Sequence, residues 1–202
     1  MNKELKYYIL YKPYGVLCQF RDDENRKTLA AFGPFPNDVY PVGRLDTDSE
    51  GLIVLTNDGA LQHHLIEPKY GHPRTYLVQV ENIPSQRGLE QMRQGVVIER
   101  RKTLPAEVTL LADEPVLPPR SVPIRYRKHI PTAWIRLTIT EGRNRQVRKM
   151  TAAVGHPTLR LIRISIGPIA LSGLQPGESR ELRREEVVAL FRYLGIKKPA
   201  VR

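Results

Sequence analysis

A chain of 202 residues, 41% hydrophobic and 26% charged, can bury a real core and suits one large domain or two closely packed subdomains. Its one cysteine, Cys18, excludes an intramolecular disulfide framework and a cysteine-rich metal site, and reads as a small buried hydrophobe. No apolar run approaches the roughly 20 residues of a membrane span, and the first apolar stretch is too short for a secretory signal, so a cytoplasmic protein without membrane contact is expected. The net charge is +11 and unevenly placed: residues 1–60 hold nine acidic and seven basic side chains, whereas residues 120–163 hold eleven Lys or Arg and one acid, Glu141. A basic half of this kind points to a polyanionic partner, with a merely solvated basic face as the alternative.

In chain order, residues 7–13 (YYILYKP) and 39–45 (VYPVGRL) predict strands ending at prolines or turns. Residues 51–56 (GLIVLT) predict a buried strand leaving into the turn at Asn57-Asp58-Gly59. A short helix follows over 60–67, with Asn57 or Asp58 as N-cap and Pro68 beyond its end. Residues 74–82 (RTYLVQVEN) predict a strand with Tyr76, Val78 and Val80 on one face. Residues 84–95 predict a helix capped by Ser85 and stopped by Gly95.

Strands are predicted over 106–112 and 132–140. In the second, Ile135, Leu137 and Ile139 form a buried side and Trp134, Arg136 and Thr138 a polar one. Between them, residues 113–131 carry five prolines and four Lys or Arg. They predict an extended loop, either a disordered connector or an arm lying on a phosphate backbone. Residues 141–155 (EGRNRQVRKMTAAVG) predict a loop and then a helix, with Asn144 as N-cap. Its apolar stripe is Val147, Met150 and Val154, and Arg145, Arg148 and Lys149 lie on another side. A strand over 156–171 and an amphipathic helix over 182–195 follow, the latter with Glu185 and Glu186 in its first turn. Successive strands interrupted by a few helices predict an α+β fold with a mixed, mainly antiparallel sheet and flanking helices.

The stretch GRLDTDSEGLIVLTNDG, residues 43–59, places Asp46, Asp48 and Glu50 at alternate positions before Gly51, as a calcium-binding EF-hand loop does. The twelfth position from Asp46 is Asn57, which cannot supply the bidentate carboxylate, and the flanks predict strands, so no metal site is expected. A paired-carboxylate glycosidase has no other support in the chain. An aspartate flanked by arginines is held ionised and oriented, and can act as nucleophile or base.

The same stretch resembles the signature motif of the RNA pseudouridine synthases that modify ribosomal RNA. Three further stretches agree: YKPYG at 11–15, RTYLVQV at 74–80, and EGRNRQVRKMTAAVGHPTLRLIRISIG at 141–167. The resemblance runs from about residue 8 to 182. It implies one pseudouridine synthase catalytic domain over 1–202, made of two subdomains around a central cleft, with no N-terminal S4-type RNA-binding domain. It also implies site-specific isomerisation of uridine in ribosomal RNA, with 23S RNA the expected substrate, by base flipping and without a cofactor. A synthase acting on 16S or transfer RNA, or a non-catalytic RNA-binding assembly protein, are the alternatives. A monomer is expected. By resemblance, Asp46 is the catalytic aspartate, acting by attack on the sugar or by proton removal. Tyr76 stacks on the flipped base, Arg148 pairs with the aspartate, and Arg44 fills the space left by the base. Arg143, Arg145, Lys149, Arg160 and Arg163 are candidate phosphate contacts. Asp48 and Glu50 are expected to shape the turn or pair with basic neighbours. Arg74 stands where many relatives carry lysine, which keeps the charge and changes the shape.

Overall fold

The computed structural model of the chain describes residues 4–124, 127, 129–171 and 173–196. The elements run β1 (Tyr7–Lys12), β2 (Tyr40–Pro41), β3 (Glu50–Thr56), α1 (Gly59–Ile66), β4 (Arg74–Glu81) and α2 (Gln86–Gln94). They continue as β5 (Val97–Ile98), β6 (Arg101–Lys102), β7 (Glu107–Leu110), β8 (Thr132–Ile139) and α3 (Gln146–Ala153). Last come β9 (Thr158–Ile166), β10 (Ile169–Ala170), β11 (Ser179–Glu181) and α4 (Arg184–Leu194).

One sheet carries the fold, in the order β11-β1-β3-β9-β4-β8-β7, with β2 beside β3 and β10 beside β9. β5 and β6 form a separate two-stranded ribbon. Every neighbouring pair is antiparallel except β3 and β9. The architecture is the α+β arrangement that the sequence pattern predicts.

All seven residues of β3 are buried, because the sheet is covered on both faces and a strand at its middle has no wet side. On one face Leu10, Ile53, Leu55, Val78, Val80, Ile135 and Leu137 meet Leu89 and Met92 of α2 and Val147 and Met150 of α3. On the other, Ile9, Leu52 and Val54 meet Leu61 and Leu65 of α1 and Leu190 and Phe191 of α4. Two helix starts follow their predicted caps. The Asp58 carboxylate accepts from the N–H groups of Ala60 and Leu61, and the Ser85 hydroxyl accepts from Gly88 N–H.

Three expectations need correction. Residues 39–45 are mostly loop: only Tyr40 and Pro41 pair, with Thr56 and Leu55, before Gly43 turns the chain at φ +70°. The second side of β8 is not simply polar, since Trp134 is buried there with Tyr11, Leu77 and Ile162. The first half of the 113–131 segment helps cover it: Leu117 packs on that cluster beside Leu111, which precedes the segment, and Trp134 Nε1 donates to Glu114 at 3.3 Å. Arg125, Tyr126 and Lys128 of this segment lie outside the described residues. Among the described residues no helix is long and apolar enough to cross a membrane.

The halves of the sheet meet at a narrow seam. β3 and β9 pair only through Glu50 with Ile162 and Gly51 with Arg163. Gly51 sits at φ +109°, and a Cβ there would lie 2.3 Å from the Arg163 carbonyl oxygen and 2.6 Å from its nitrogen. Only glycine lets the two backbones approach so closely. The turn that carries Asp46 enters β3 at this seam.

Candidate active site

Asp46 sits on a turn closed by its own carbonyl, which accepts the Ser49 N–H at 3.0 Å. The turn is fastened first by the strand end before it. Thr47 carbonyl accepts the Gly15 N–H at 2.8 Å and Lys12 Nζ at 3.5 Å. Lys12 Nζ also donates to the carbonyls of Val16 at 2.7 Å and Pro13 at 2.9 Å. Lys12 is fully buried, and burial lowers its ammonium to about 8. The Lys-Pro-x-Gly stretch thus anchors the Asp46 turn, a role that sequence reasoning did not assign to Lys12. Its signal was a lysine in an apolar strand, where an ammonium must find acceptors.

Helix α3 fastens the turn from a second side. It starts at Arg145 rather than Asn144, in a left-handed conformation (φ 50°) and without a side-chain cap. Instead of capping, the Arg145 guanidinium grips Asp48 through both carboxylate oxygens, at 3.0 and 2.7 Å, and stands 3.6 Å from Asp46 Oδ2. One turn on, Arg148 donates to the Asp48 carbonyl at 2.6 Å and to the Thr158 carbonyl at 3.4 Å, with its Nε 3.4 Å from the Asp48 carboxylate. Burial pushes the Asp48 carboxyl up, but the two arginines outweigh it and hold the group below the usual carboxylate range. Burial also lowers the Arg148 guanidinium, which Asp48 counters.

The three carboxylates therefore part company. Asp48 is held by Arg145 and Arg148. Glu50, 2% exposed, receives Arg160 Nε at 2.9 Å and Nη2 at 2.8 Å. Among the described residues the one ion pair of Asp46 is the long contact to Arg145, and its side chain is 38% exposed. Arg148, expected to pair with Asp46, lies nearer the Asp48 carboxylate, with Asp46 a weaker electrostatic partner. Arg145 Nη1 lies near both carboxylates, 3.0 Å from Asp48 and 3.6 Å from Asp46, and the buried Arg148 guanidinium takes the more enclosed Asp48. Asp48 and Glu50 pair with basic neighbours, as the sequence suggests. Among the described residues no group of three or more His, Cys, Asp or Glu side chains could hold a metal ion.

Tyr76 lies on β4 opposite Arg163 of β9, beside the seam, and is buried against the core face that includes Val16, Cys18 and Leu45 of the turn region. Behind the turn, Cys18 Sγ lies 3.9 Å from the Gly43 carbonyl, and burial pushes its thiol up. Arg44 is exposed at the start of the turn. Arg74 donates to the Leu65 carbonyl at 3.1 Å, near the C-terminus of α1, where a cation is favoured.

The expected phosphate contacts divide differently. Arg160 is buried on Glu50 and also donates to the Pro118 carbonyl at 2.9 Å. Arg163 is 4% exposed and donates to the Leu52 carbonyl across the seam. Neither guanidinium reaches the surface. Both come from strand β9, whose central position the positive charge did not advertise. Arg143 donates to the carbonyls of Ile98 at 2.8 Å and Arg101 at 3.2 Å, and Lys149 binds Glu99 and Asn144. These two hold the β5–β6 ribbon.

A carboxylate with one loose cationic partner, on a turn clamped by a buried lysine and two arginines beside a buried tyrosine, suits chemistry on a bound electrophilic carbon. Comparison with known proteins identifies the family. The family model for RNA pseudouridylate synthase matches residues 6–153. The chain is 55% identical over 179 residues to ribosomal large subunit pseudouridine synthase E of Vibrio vulnificus, covering 89% of this chain and 76% of that protein. It is 40% identical over 190 residues to ribosomal large subunit pseudouridine synthase B of Bacillus subtilis, covering 94% and 72%. A crystal structure of a pseudouridylate synthase superposes with a TM-score of 0.77 at 30% identity, over 93% of this chain and 74% of that one. The archaeal box H/ACA Nop10–Cbf5 complex, at TM-score 0.53 and 15% identity, shares the fold alone. This chain belongs to the RNA pseudouridylate synthase family.

Proposed function

We propose that this enzyme converts a specific uridine of large-subunit ribosomal RNA, 23S RNA in bacteria, to pseudouridine, with Asp46 as its essential carboxylate. The observation that carries the role of Asp46 is the contrast among the three acids. Asp48 and Glu50 are spent on arginines, whereas Asp46 is positioned from both sides and left open. The ribosomal substrate is supported by relatives at 52–55% identity that carry the name ribosomal large subunit pseudouridine synthase E.

The reaction is an isomerisation and needs neither oxidant nor group donor. The bond between N1 and C1′ breaks, uracil turns, C5 bonds to C1′, and the C5 proton is lost while N1 gains one. A stacked uridine hides its glycosidic bond, so the nucleotide must leave the helix. Asp46 acts at the ribose and Arg145 steadies its charge. Tyr76 supports the base from the β4 side, and exposed Arg44 reaches the gap left in the helix. Arg148 acts through Asp48, as a positioning residue. The whole chain serves as one catalytic domain with its active centre at the seam.

The test is conversion of unmodified large-subunit RNA, with pseudouridine mapped by sequence. Wild-type enzyme is expected to modify one site or a small set, and Asp46→Asn to modify none while binding the same RNA. Conversion by Asp46→Asn at the wild-type rate would overturn the assignment. Modification confined to 16S or transfer RNA would overturn the substrate.

A further inference from the structure

The ribbon of β5 and β6 stands outside the main sheet and presents Arg100, Arg101 and Lys102 in succession. All three are exposed, and none makes an ion pair with a described residue. The pairing of Val97 with Lys102 and Ile98 with Arg101 leaves a two-residue turn at Glu99 and Arg100. Both turn residues have positive φ, 50° and 64°. A turn of this kind favours Asn-Gly or Asp-Gly, and side chains as large as Glu and Arg are strained in it. Such strain persists only where the surroundings enforce it.

Here they do. Arg143 clamps the carbonyls on both sides of the turn, Ile98 and Arg101, and Lys149 holds the Glu99 carboxylate. Arg143 leads into helix α3 and Lys149 is on it, and α3 also supplies Arg148 to the Asp46 turn. The ribbon is thus fixed to the same element as the candidate active site. Two basic residues that would suit phosphate are used up in holding out three others.

We propose that the β5–β6 ribbon is a phosphate clamp, in which Arg100, Arg101 and Lys102 engage the backbone of the RNA flanking the target uridine. The inference rests on the reading of the enzyme as an RNA-modifying one. It moves the phosphate contacts from Arg143 and Lys149 to the ribbon they support. Consecutive cations on a rigid two-stranded tip neutralise neighbouring phosphates without reading bases, so they set register and affinity.

The test is the triple variant Arg100→Gly, Arg101→Gln, Lys102→Gln, which keeps Glu99 and its lysine and gives the turn a glycine where φ is 64°. Its melting temperature should equal or exceed that of the wild type. On a naked large-subunit RNA fragment, KM should rise on the order of tenfold with kcat unchanged at saturation. The slope of log K against log salt should fall by about 2 to 3, near 0.9 for each lost phosphate contact. Unchanged KM and slope would overturn the proposal and leave a solvated face. Wild-type affinity for naked RNA with activity lost only on ribosomal particles would also overturn it, in favour of a protein partner. If the wild type binds the RNA but converts no uridine, the enzymatic reading fails, while the binding slopes still decide the clamp.

Discussion

The pair of Glu50 and Arg160 offers the sharpest test of how the site is held. Replacing Glu50 by Gln keeps the shape and removes the charge. Arg160 then stays buried, its side chain 8% exposed, with the Pro118 carbonyl and one amide oxygen in place of a bidentate carboxylate. Removing one partner of a buried pair costs about 3–5 kcal/mol, because the other charge is left uncompensated. That is a large share of the roughly 5–15 kcal/mol by which a folded domain is stable. For about 200 residues it lowers the melting temperature by roughly 6–20 °C, at about 2–4 °C for each kcal/mol. Arg160→Met should cost a similar amount. The double variant Glu50→Leu, Arg160→Met removes both charges together and should be far milder than the sum of the single losses, with a coupling of at least about 2 kcal/mol. Urea titrations of the four proteins measure this cycle. Single losses below about 1 kcal/mol with additive behaviour would show that the pair does not lock β3 to β9.

Gly51→Ala should destabilise the fold by more than about 2 kcal/mol and cut activity at temperatures where it is still folded, since its Cβ meets the Arg163 backbone and its φ is left-handed. Urea unfolding at a fixed temperature gives the loss, and a near-neutral variant would refute the close approach. Lys12 has a folded value near 8, below its ordinary 10.5, so folding disfavours its protonated form. Its contribution to stability therefore rises between about pH 8 and 10.5, by up to about 3 kcal/mol, and the stability difference from Lys12→Met should track that window. Asp48 has its value depressed, so its contribution is present above the ordinary carboxylate range and is lost as pH falls through the folded value. Asp48→Asn should flatten this acid limb, and an identical acid unfolding profile would count against the Arg145 and Arg148 grip.

Much of the architecture was legible because it is local. Strand β4 follows from alternation at Tyr76, Val78 and Val80, and the starts of α1 and α2 follow from Asp58 and Ser85. The motif around Asp46 was also legible, since its glycines and apolar run sit within 17 residues of one another. What stayed hidden depends on partners far away in the chain. Arg160 reads as one more surface cation until β9 is placed beside β3, 110 residues earlier, where Glu50 waits. Arg143 and Lys149 read as phosphate contacts because their carbonyl and carboxylate partners lie on a ribbon more than 40 residues away. The N-cap of α3 was misread at Asn144 because Arg145 takes a left-handed conformation that its tie to Asp48 enforces. Trp134 falls on the polar side by alternation because nothing in β8 reveals the segment that covers it.

The narrow join between β3 and β9 also bears on the order in which this protein becomes itself. Glu50 and Gly51 meet β9 only at residues 160–163, and although Gly51 also pairs with Lys12, the Asp46 turn is closed on its other side by elements about a hundred residues later. Contacts so distant along the chain form late, since loop closure must be met before they contribute. With only the first three strands in place, the Asp46 turn has its Lys12 and Gly15 anchors but lacks the Arg145 and Arg148 clamp. Reactivity toward RNA is therefore expected only once this long-range pairing has formed, so the onset of pseudouridine formation during refolding would report completion of the fold.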